Sequence, residues 1–314
     1  MAIPGRKAMP RKRRGRPVHG WINLDKPAGM SSAQAVAKVR RLFDAAKAGH
    51  AGTLDPLATG VLPIALGEAT KAVPYIMADE KIYRFTVRWG VATDTDDAEG
   101  RIVATGEVRP DHDAILAVLP GFVADIEQIP PAYSALKIDG ERSYRRARQG
   151  ETVAPKPRLV TIKRLELVEL PDADHAIFEA LVGKGTYIRA LARDLGRALG
   201  TFAHVIALRR LGVGRFRAER AISLENLAVM GHSPTASEHL LPVETALDDI
   251  PALAVTEAEA ASLRHGRSVT RADEAFCQDL GEGTTIRAVN GDRLVAFAQI
   301  RDGGLRPIRV LNFD

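Results

Sequence analysis

The chain reads as a mixed α and β fold, with helices flanking a sheet and a second, smaller β unit towards the C-terminus. Three stretches carry that expectation. Lys81–Trp89 alternates: Lys81, Tyr83, Phe85, Val87 and Trp89 share one face, and Ile82, Arg84, Thr86 and Arg88 share the other. That is the period of a half-buried strand. Residues 188–199 place Ile188, Leu191, Ala192, Leu195 and Leu199 at helical spacing and stop at Gly200. Asn290-Gly291 lies between strand-like runs at 285–289 and 293–298. The pair favours a type I′ hairpin turn.

The other elements follow in chain order. Residues 18–24 form a short apolar strand, closed by the turn cluster Asp25-Lys26-Pro27-Ala28-Gly29. Ser31 or Ser32 can cap a helix with Val36, Val39, Leu42 and Phe43 on one face. Thr93 to Gly100 is an acidic turn, and 110–124 is helical. Pro130-Pro131 opens a loop rich in Tyr, Arg and Gly, with a short helix near 143–149. Residues 159–169 and 175–182 are strand-like, whereas 204–216 mixes apolar and basic residues. A composition break near 242–251 precedes a helix at 256–264, and 310–313 is a last strand.

With 314 residues, 46% of them apolar, the chain is long enough for two domains and a substantial core. The single cysteine, Cys277, excludes an internal disulfide framework and a cysteine-based zinc site, and fits a reducing cytoplasm. No apolar run reaches the roughly 18–20 residues of a membrane span. No apolar h-region follows the basic N-terminus, so it does not read as a secretory signal. Charge is unevenly placed. Residues 1–16 carry seven basic and no acidic side chains and read as a disordered arm. Residues 137–220 carry 18 basic against 10 acidic, whereas 221–314 carry 8 against 14. A central basic stretch between acidic flanks suits a polyanion; a solvated charged face is the alternative.

Several chemistries fit poorly. Asp94, Asp96, Asp97 and Glu99 do not follow the calcium-loop spacing, so a solvated turn is expected there. Gly183-Lys184-Gly185-Thr186 lacks the phosphate-loop spacing. No histidine pair sits at metal-ligand spacing on a helix face, and no Gly-x-Ser-x-Gly elbow occurs. Asp55 precedes Pro56, which pushes it into an extended conformation on a stiff loop. Such a carboxylate is either a turn acceptor or a positioned reactive group.

The run around it is more specific. Gly49-His50-Ala51-Gly52-Thr53-Leu54-Asp55-Pro56-Leu57-Ala58-Thr59-Gly60 resembles the catalytic motif of the TruB family of pseudouridine synthases. Further matches occur in the family's order: Leu24 to Ser32, Tyr83-Arg84, Pro130 to Lys137, Lys184 to Arg189, and His204 to Leu211. The resemblance covers roughly residues 18–230. It implies a largely antiparallel, bent sheet with flanking helices (18–250), a thumb insertion (128–156) and a PUA-like RNA-binding β-barrel (251–314), after a basic arm at 1–17.

It also implies the chemistry, the conversion of uridine to pseudouridine at position 55 in the T arm of tRNA, with no cofactor and no metal. The uridine is flipped out and an aspartate, here Asp55, attacks the nucleoside. Whether C6 or C1′ is attacked stays open. Tyr83 matches the tyrosine that stacks on the base and is placed to take the C5 proton. Arg189 matches the arginine that pairs with the aspartate; on the helix it falls about 100° from the apolar face, at a cleft edge. Arg193 and Arg197 lie further round, towards solvent. Tyr187 and Leu208 match substrate-pocket residues, His50 a residue that holds the flipped-out region, and Lys26 a support for the loop. Lys137, Arg142, Arg145, Arg146 and Arg148 would grip phosphates without reading sequence. The expected partner is the T stem-loop of tRNA, with the acceptor end reached through the C-terminal unit. No membrane, no obligatory protein partner and a monomer are expected. Two rivals remain: a guide-RNA-dependent dyskerin-type enzyme, against which the Pro130–Lys137 match speaks, and a noncatalytic RNA-folding protein, against which intact Asp55, Tyr83 and Arg189 speak.

Overall fold

A computed structural model describes residues 15–134, 136–138, 140–143, 146, 149, 151, 155–231, 234–270 and 279–313. In chain order the first strands are β1 (Gly20–Lys26), β2 (Ala48–His50), β3 (Thr59–Leu66), β4 (Lys81–Trp89), β5 (Val91–Thr93), β6 (Ile102–Thr105) and β7 (Asp125–Gln128). A two-residue hairpin, β8 (Lys137–Ile138) and β9 (Glu141–Arg142), follows. Then come β10 (Arg158–Asp172), β11 (His175–Val182), β12 (Ala203–Val213), β13 (Phe216–Arg217) and β14 (Ile222–Ser223). The C-terminal strands are β15 (Ala252–Ala254), β16 (Val269–Thr270), β17 (Thr285–Asn290), β18 (Arg293–Arg301) and β19 (Gly304–Val310).

A ten-stranded sheet runs β14-β1-β3-β12-β4-β11-β10-β7, with β2 added on β3 and β13 on β12. Only β1–β14 and β3–β12 pair in parallel, so the sheet is mainly antiparallel, as expected. One core cluster joins Tyr83, Phe85, Val87 and Trp89 of β4 to Leu191, Ala192 and Leu195 of the helix Ile188–Ala198 and to Ala35 and Val39 of the helix Ser32–Leu42. Burying side chains such as Phe85 and Val87 contributes about 1.5–3 kcal/mol each. The alternation read from Lys81–Trp89 is thus the real inside–outside pattern of a strand near the sheet's middle.

The C-terminal strands form a second sheet, β15-β17-β18-β19-β16, and the Asn290-Gly291 turn joins β17 to β18. This unit shares a core with the large sheet: Leu294, Phe297 and Leu311 cluster with Trp21, Val61 and Val213. The stretch near 242–251 is packed too. Trp21 and Leu241 exchange backbone hydrogen bonds, and Trp21 Nε1 donates to Val243 O at 3.1 Å.

Three expectations need correction. The stretch 204–216, to which the sequence assigns no element, is mostly β12, a strand with partners on both sides. Its Arg210 is buried, which hides the alternation. The final strand is β19, ending at Val310, rather than 310–313. The acidic turn after Thr93 joins the β5–β6 hairpin and is not simply solvated, because Asp97 is buried.

The parallel pairing of β3 with β12 places Gly60 against Arg210. Gly60 has φ +98°, and a Cβ there would stand 2.2 Å from Arg210 O. Only glycine fits this end of the motif. Gly60→Ala is therefore expected to destabilise the protein by at least about 3 kcal/mol. Urea unfolding measures this as a lowered midpoint.

Candidate active site

The loop between β2 and β3 that carries Asp55 is clasped from two sides. Ser31 caps the helix Ser32–Leu42 and forms a capping box with Gln34. That leaves Ser32 free for another task. Leu54 N donates to Ser32 Oγ at 2.8 Å, and Ser32 Oγ donates to Leu54 O at 2.9 Å. The pair pins the residue just before Asp55. On the other side Gly29 N donates to Pro56 O at 2.9 Å. Lys26, fully buried, donates to Pro27 O at 2.8 Å, Met30 O at 2.7 Å and Pro56 O at 3.3 Å. Three carbonyls match the three N–H groups of an ammonium. Burial lowers the Lys26 pKa to about 8; nearby Asp55 opposes that shift, and Arg210 adds to it. Lys26 thus remains charged at neutral pH.

The Asp55 carboxylate is 36% exposed, so it faces a space a ligand can reach. Its partner is not exposed: Arg189 Nε lies 2.9 Å from Asp55 Oδ2, with the arginine side chain only 4% exposed. The Nε–H does not point along that line, and Nε is among the buried nitrogens without a hydrogen-bond partner. The contact is therefore mainly Coulombic and leaves the carboxylate lone pairs uncommitted to it. The guanidinium is held by its other nitrogens. Nη1 donates to Thr95 O at 2.8 Å and lies 3.3 Å from Asp97 Oδ2, and Nη2 donates to Tyr133 O at 2.9 Å. The fork of arginine suits three separate partners; a lysine could not hold them together.

In the sequence Asp97 reads only as part of a solvated acidic turn, not as a site residue. Its side chain is 4% exposed, accepts from Thr95 Oγ1 at 2.5 Å and Glu99 N at 3.0 Å, and faces Arg189. Asp96 adopts a left-handed φ of 58° and pairs with Arg193 at 3.0 Å. Burial pushes the Asp96 carboxyl up, against the pull of Arg193 and Arg189. Arg193 is thus drawn inward rather than standing towards solvent, and it also donates to Ile129 O. Arg197 is exposed, as expected. The signal available in the sequence was the coincidence of an acidic turn with a helix bearing Arg189, Arg193 and Arg197.

Tyr83 is buried on β4, and Leu208, also buried, faces Phe85 across β12 and β4. Tyr187 sits at the N-terminus of the helix Ile188–Ala198, where its backbone N–H donates to Gln128 Oε1 at 2.8 Å. Burial pushes the Tyr187 hydroxyl up, and the Asp55 charge adds to the rise. His50 is half-buried on β2, opposite Ile64. The structure therefore brings Asp55 and Arg189 into contact, binds Lys26 to the same loop, and sets Tyr83 and Leu208 on adjacent strands. It places His50 five residues before Asp55 and Tyr187 two before Arg189.

Of the residues expected in the thumb, Lys137 and Arg142 pair through the backbone of β8 and β9, and their side chains lie outside the described residues. Arg145 and Arg148 lie outside them altogether, as do Cys277 and residues 1–14. Arg146 Nε stands 2.6 Å from Glu151 Oε2. Arg210 is the second functional candidate not singled out earlier. It is a buried cation in the middle of the sheet, donating to Val61 O and Gly52 O.

Residues 40–188 match the family model described as TruB family pseudouridylate synthase (N terminal domain). Residues 189–248 match the one described as tRNA pseudouridylate synthase B C-terminal domain. A tRNA pseudouridine synthase B from Bradyrhizobium diazoefficiens is 56% identical over 308 residues, covering 96% of this chain and 88% of its own. One from Rhodospirillum rubrum is 51% identical, covering 97% of this chain and 100% of its own. Among solved structures, a chain of a Cbf5-Nop10-Gar1 complex superposes with a TM-score of 0.70 at 26% identity, covering 94% of this chain and 85% of that one. A chain of an H/ACA RNP bound to a substrate RNA shares the fold, with a TM-score of 0.70 at 23% identity over 98% of this chain and 93% of its own.

Proposed function

The chain belongs to the TruB family of pseudouridylate synthases, which are isomerases, and on that premise we propose that it converts uridine 55 in the T arm of tRNA to pseudouridine. Its nucleophile is Asp55. One observation carries this reading: an accessible carboxylate on a loop clasped from both sides, beside a guanidinium that is itself buried and held by three other groups. A reactive group held this way loses little freedom on meeting its substrate.

In the proposed reaction the target uridine is flipped out of the RNA. Asp55 attacks the nucleoside at C6 or C1′, and the glycosidic bond breaks. The uracil turns, C5 bonds to the sugar, the bond to Asp55 breaks, and the C5 proton passes to Tyr83 Oη as that hydroxyl gives its own proton to water. Splitting one difficult exchange into such steps is what a covalent intermediate provides. No redox change occurs, so the chemistry calls for no cofactor. Tyr187 and Leu208 wall the pocket for the base, His50 steadies the flipped region, and Lys26 keeps the Asp55 loop in shape. The reaction is read as cytoplasmic and carried out by a monomer. Gripping and opening the T arm could also help tRNA fold, independently of the chemistry.

Incubating the purified protein with an unmodified tRNA transcript and mapping pseudouridine tests the site of action. One modified position, 55, is expected; modification elsewhere alone, or none, contradicts the reading. The thumb is proposed to hold phosphates through Lys137, Arg142, Arg145, Arg146 and Arg148, and the C-terminal sheet to reach towards the acceptor end. Changing Arg145 and Arg146 together to Ala is expected to weaken tRNA binding and make the log–log salt dependence shallower by about 1–2. Binding titrations from low to high salt measure this; an unchanged slope removes these residues from the grip.

A further inference from the structure

Arg210 occupies the centre of the large sheet, opposite Tyr83 on β4 and opposite Gly60 on β3. It is 1% exposed. Its Nε donates to Val61 O at 2.7 Å, Nη2 to Gly52 O at 3.0 Å and Nη1 to Tyr83 Oη at 3.5 Å. Among the described residues no carboxylate stands within ion-pair distance of it. Burying a cation without a counter-charge is strongly unfavourable. The neighbouring positions on the same face, Leu208 and Phe85, are apolar, so packing alone would be better served by a leucine or methionine. A charge kept here at such a cost points to a role beyond filling the sheet.

The hydrogen-bond inventory says what that role can be. A guanidinium has donors only. Tyr83 Oη must therefore accept from Arg210, and its own proton has to point away from Arg210. The same side chain holds the Gly52 carbonyl, three residues before Asp55. Gly52 has φ +88°, and a Cβ there would meet Arg210 Nη1 at 3.3 Å. Loop, strand and tyrosine thus close around one guanidinium. Its field is felt nearby: Lys81, whose pKa falls to about 8 chiefly through burial, is lowered further by Arg210.

We propose that Arg210 is a positioning residue of the reaction, which fixes the direction of the Tyr83 hydroxyl and ties that tyrosine to the Asp55 loop. The proposal rests on the reading of Asp55 and Tyr83 given above. It is tested with Arg210→Lys, which keeps the charge but cannot span three acceptors. At saturating tRNA the single-turnover rate of pseudouridine formation is expected to fall at least about tenfold, with the tRNA Kd within about threefold of wild type. In protein labelled with ¹³C at tyrosine Cζ, the Tyr83 resonance, assigned through Tyr83→Phe, is expected to shift while the other four tyrosines stay in place. A wild-type rate, or an unmoved Tyr83 resonance, overturns the proposal. If Arg210→Lys does not fold, Arg210→Gln takes its place. Failure of both to fold makes Arg210 a framework residue and overturns the proposal as well. Wild-type protein that forms no pseudouridine would instead sink the functional reading, which keeps the two failures apart.

Discussion

Asp55→Asn is expected to abolish pseudouridine formation while tRNA still binds. The substitution keeps the size and planarity of the side chain, and the loop that holds it is fixed by Ser32, Gly29 and Lys26 rather than by the carboxylate. The fold should therefore be unchanged. What is lost is the proposed nucleophile and the charge facing Arg189. A drop of at least about a thousandfold in single-turnover rate is expected, equivalent to about 4 kcal/mol at 1.36 kcal/mol per tenfold. The tRNA Kd should stay within about threefold of wild type, because the phosphate contacts proposed for the thumb would supply most of the affinity. A near wild-type rate would remove Asp55 from the chemistry. A lost rate with lost binding would instead point to a structural role.

Arg189 should give the second large effect, and it separates charge from geometry. Arg189→Lys retains the positive charge but cannot reach Thr95 O, Tyr133 O, Asp97 and Asp55 together. The rate is expected to fall at least about a hundredfold, about 2.7 kcal/mol on the same scale, with binding little changed. Arg189→Met goes further. It leaves the buried Asp97 carboxylate without its cation, which costs about 3–5 kcal/mol of stability. Urea unfolding of the two variants reads that difference. Equal stability for both would mean that Asp97 does not depend on Arg189 for its charge balance.

The elements that sequence could locate are those whose pattern is local. Lys81–Trp89 shows its buried face in its own alternation. The helix Ile188–Ala198 shows its apolar spacing and its glycine stop, although Arg189 is buried despite its flank position. The Asn290-Gly291 turn specifies its hairpin through two residues. Elsewhere the decisive partner is distant. Asp97 looks like one more acidic residue of a turn until Arg189, 92 positions on, closes over it. Arg210 breaks the alternation of β12 because a charged residue sits where a core residue is expected, and its acceptors belong to residues 52, 61 and 83. Ser32 reads as a possible cap, but Ser31 takes that role and Ser32 pins Leu54 instead. The Asp55–Arg189 pair could be anticipated only through the family resemblance, since no local feature links positions 134 residues apart.

This chain is proposed to isomerise uridine in tRNA with its own residues alone. The reaction must release the hydrogen at C5 of the target base. An unmodified tRNA transcript carrying tritium at C5 of its uridines, incubated with the purified protein and no added cofactor, measures this release directly. One equivalent of tritium released to water per tRNA is expected, with none from Asp55→Asn. No release from a wild-type protein shown to bind the tRNA would contradict it.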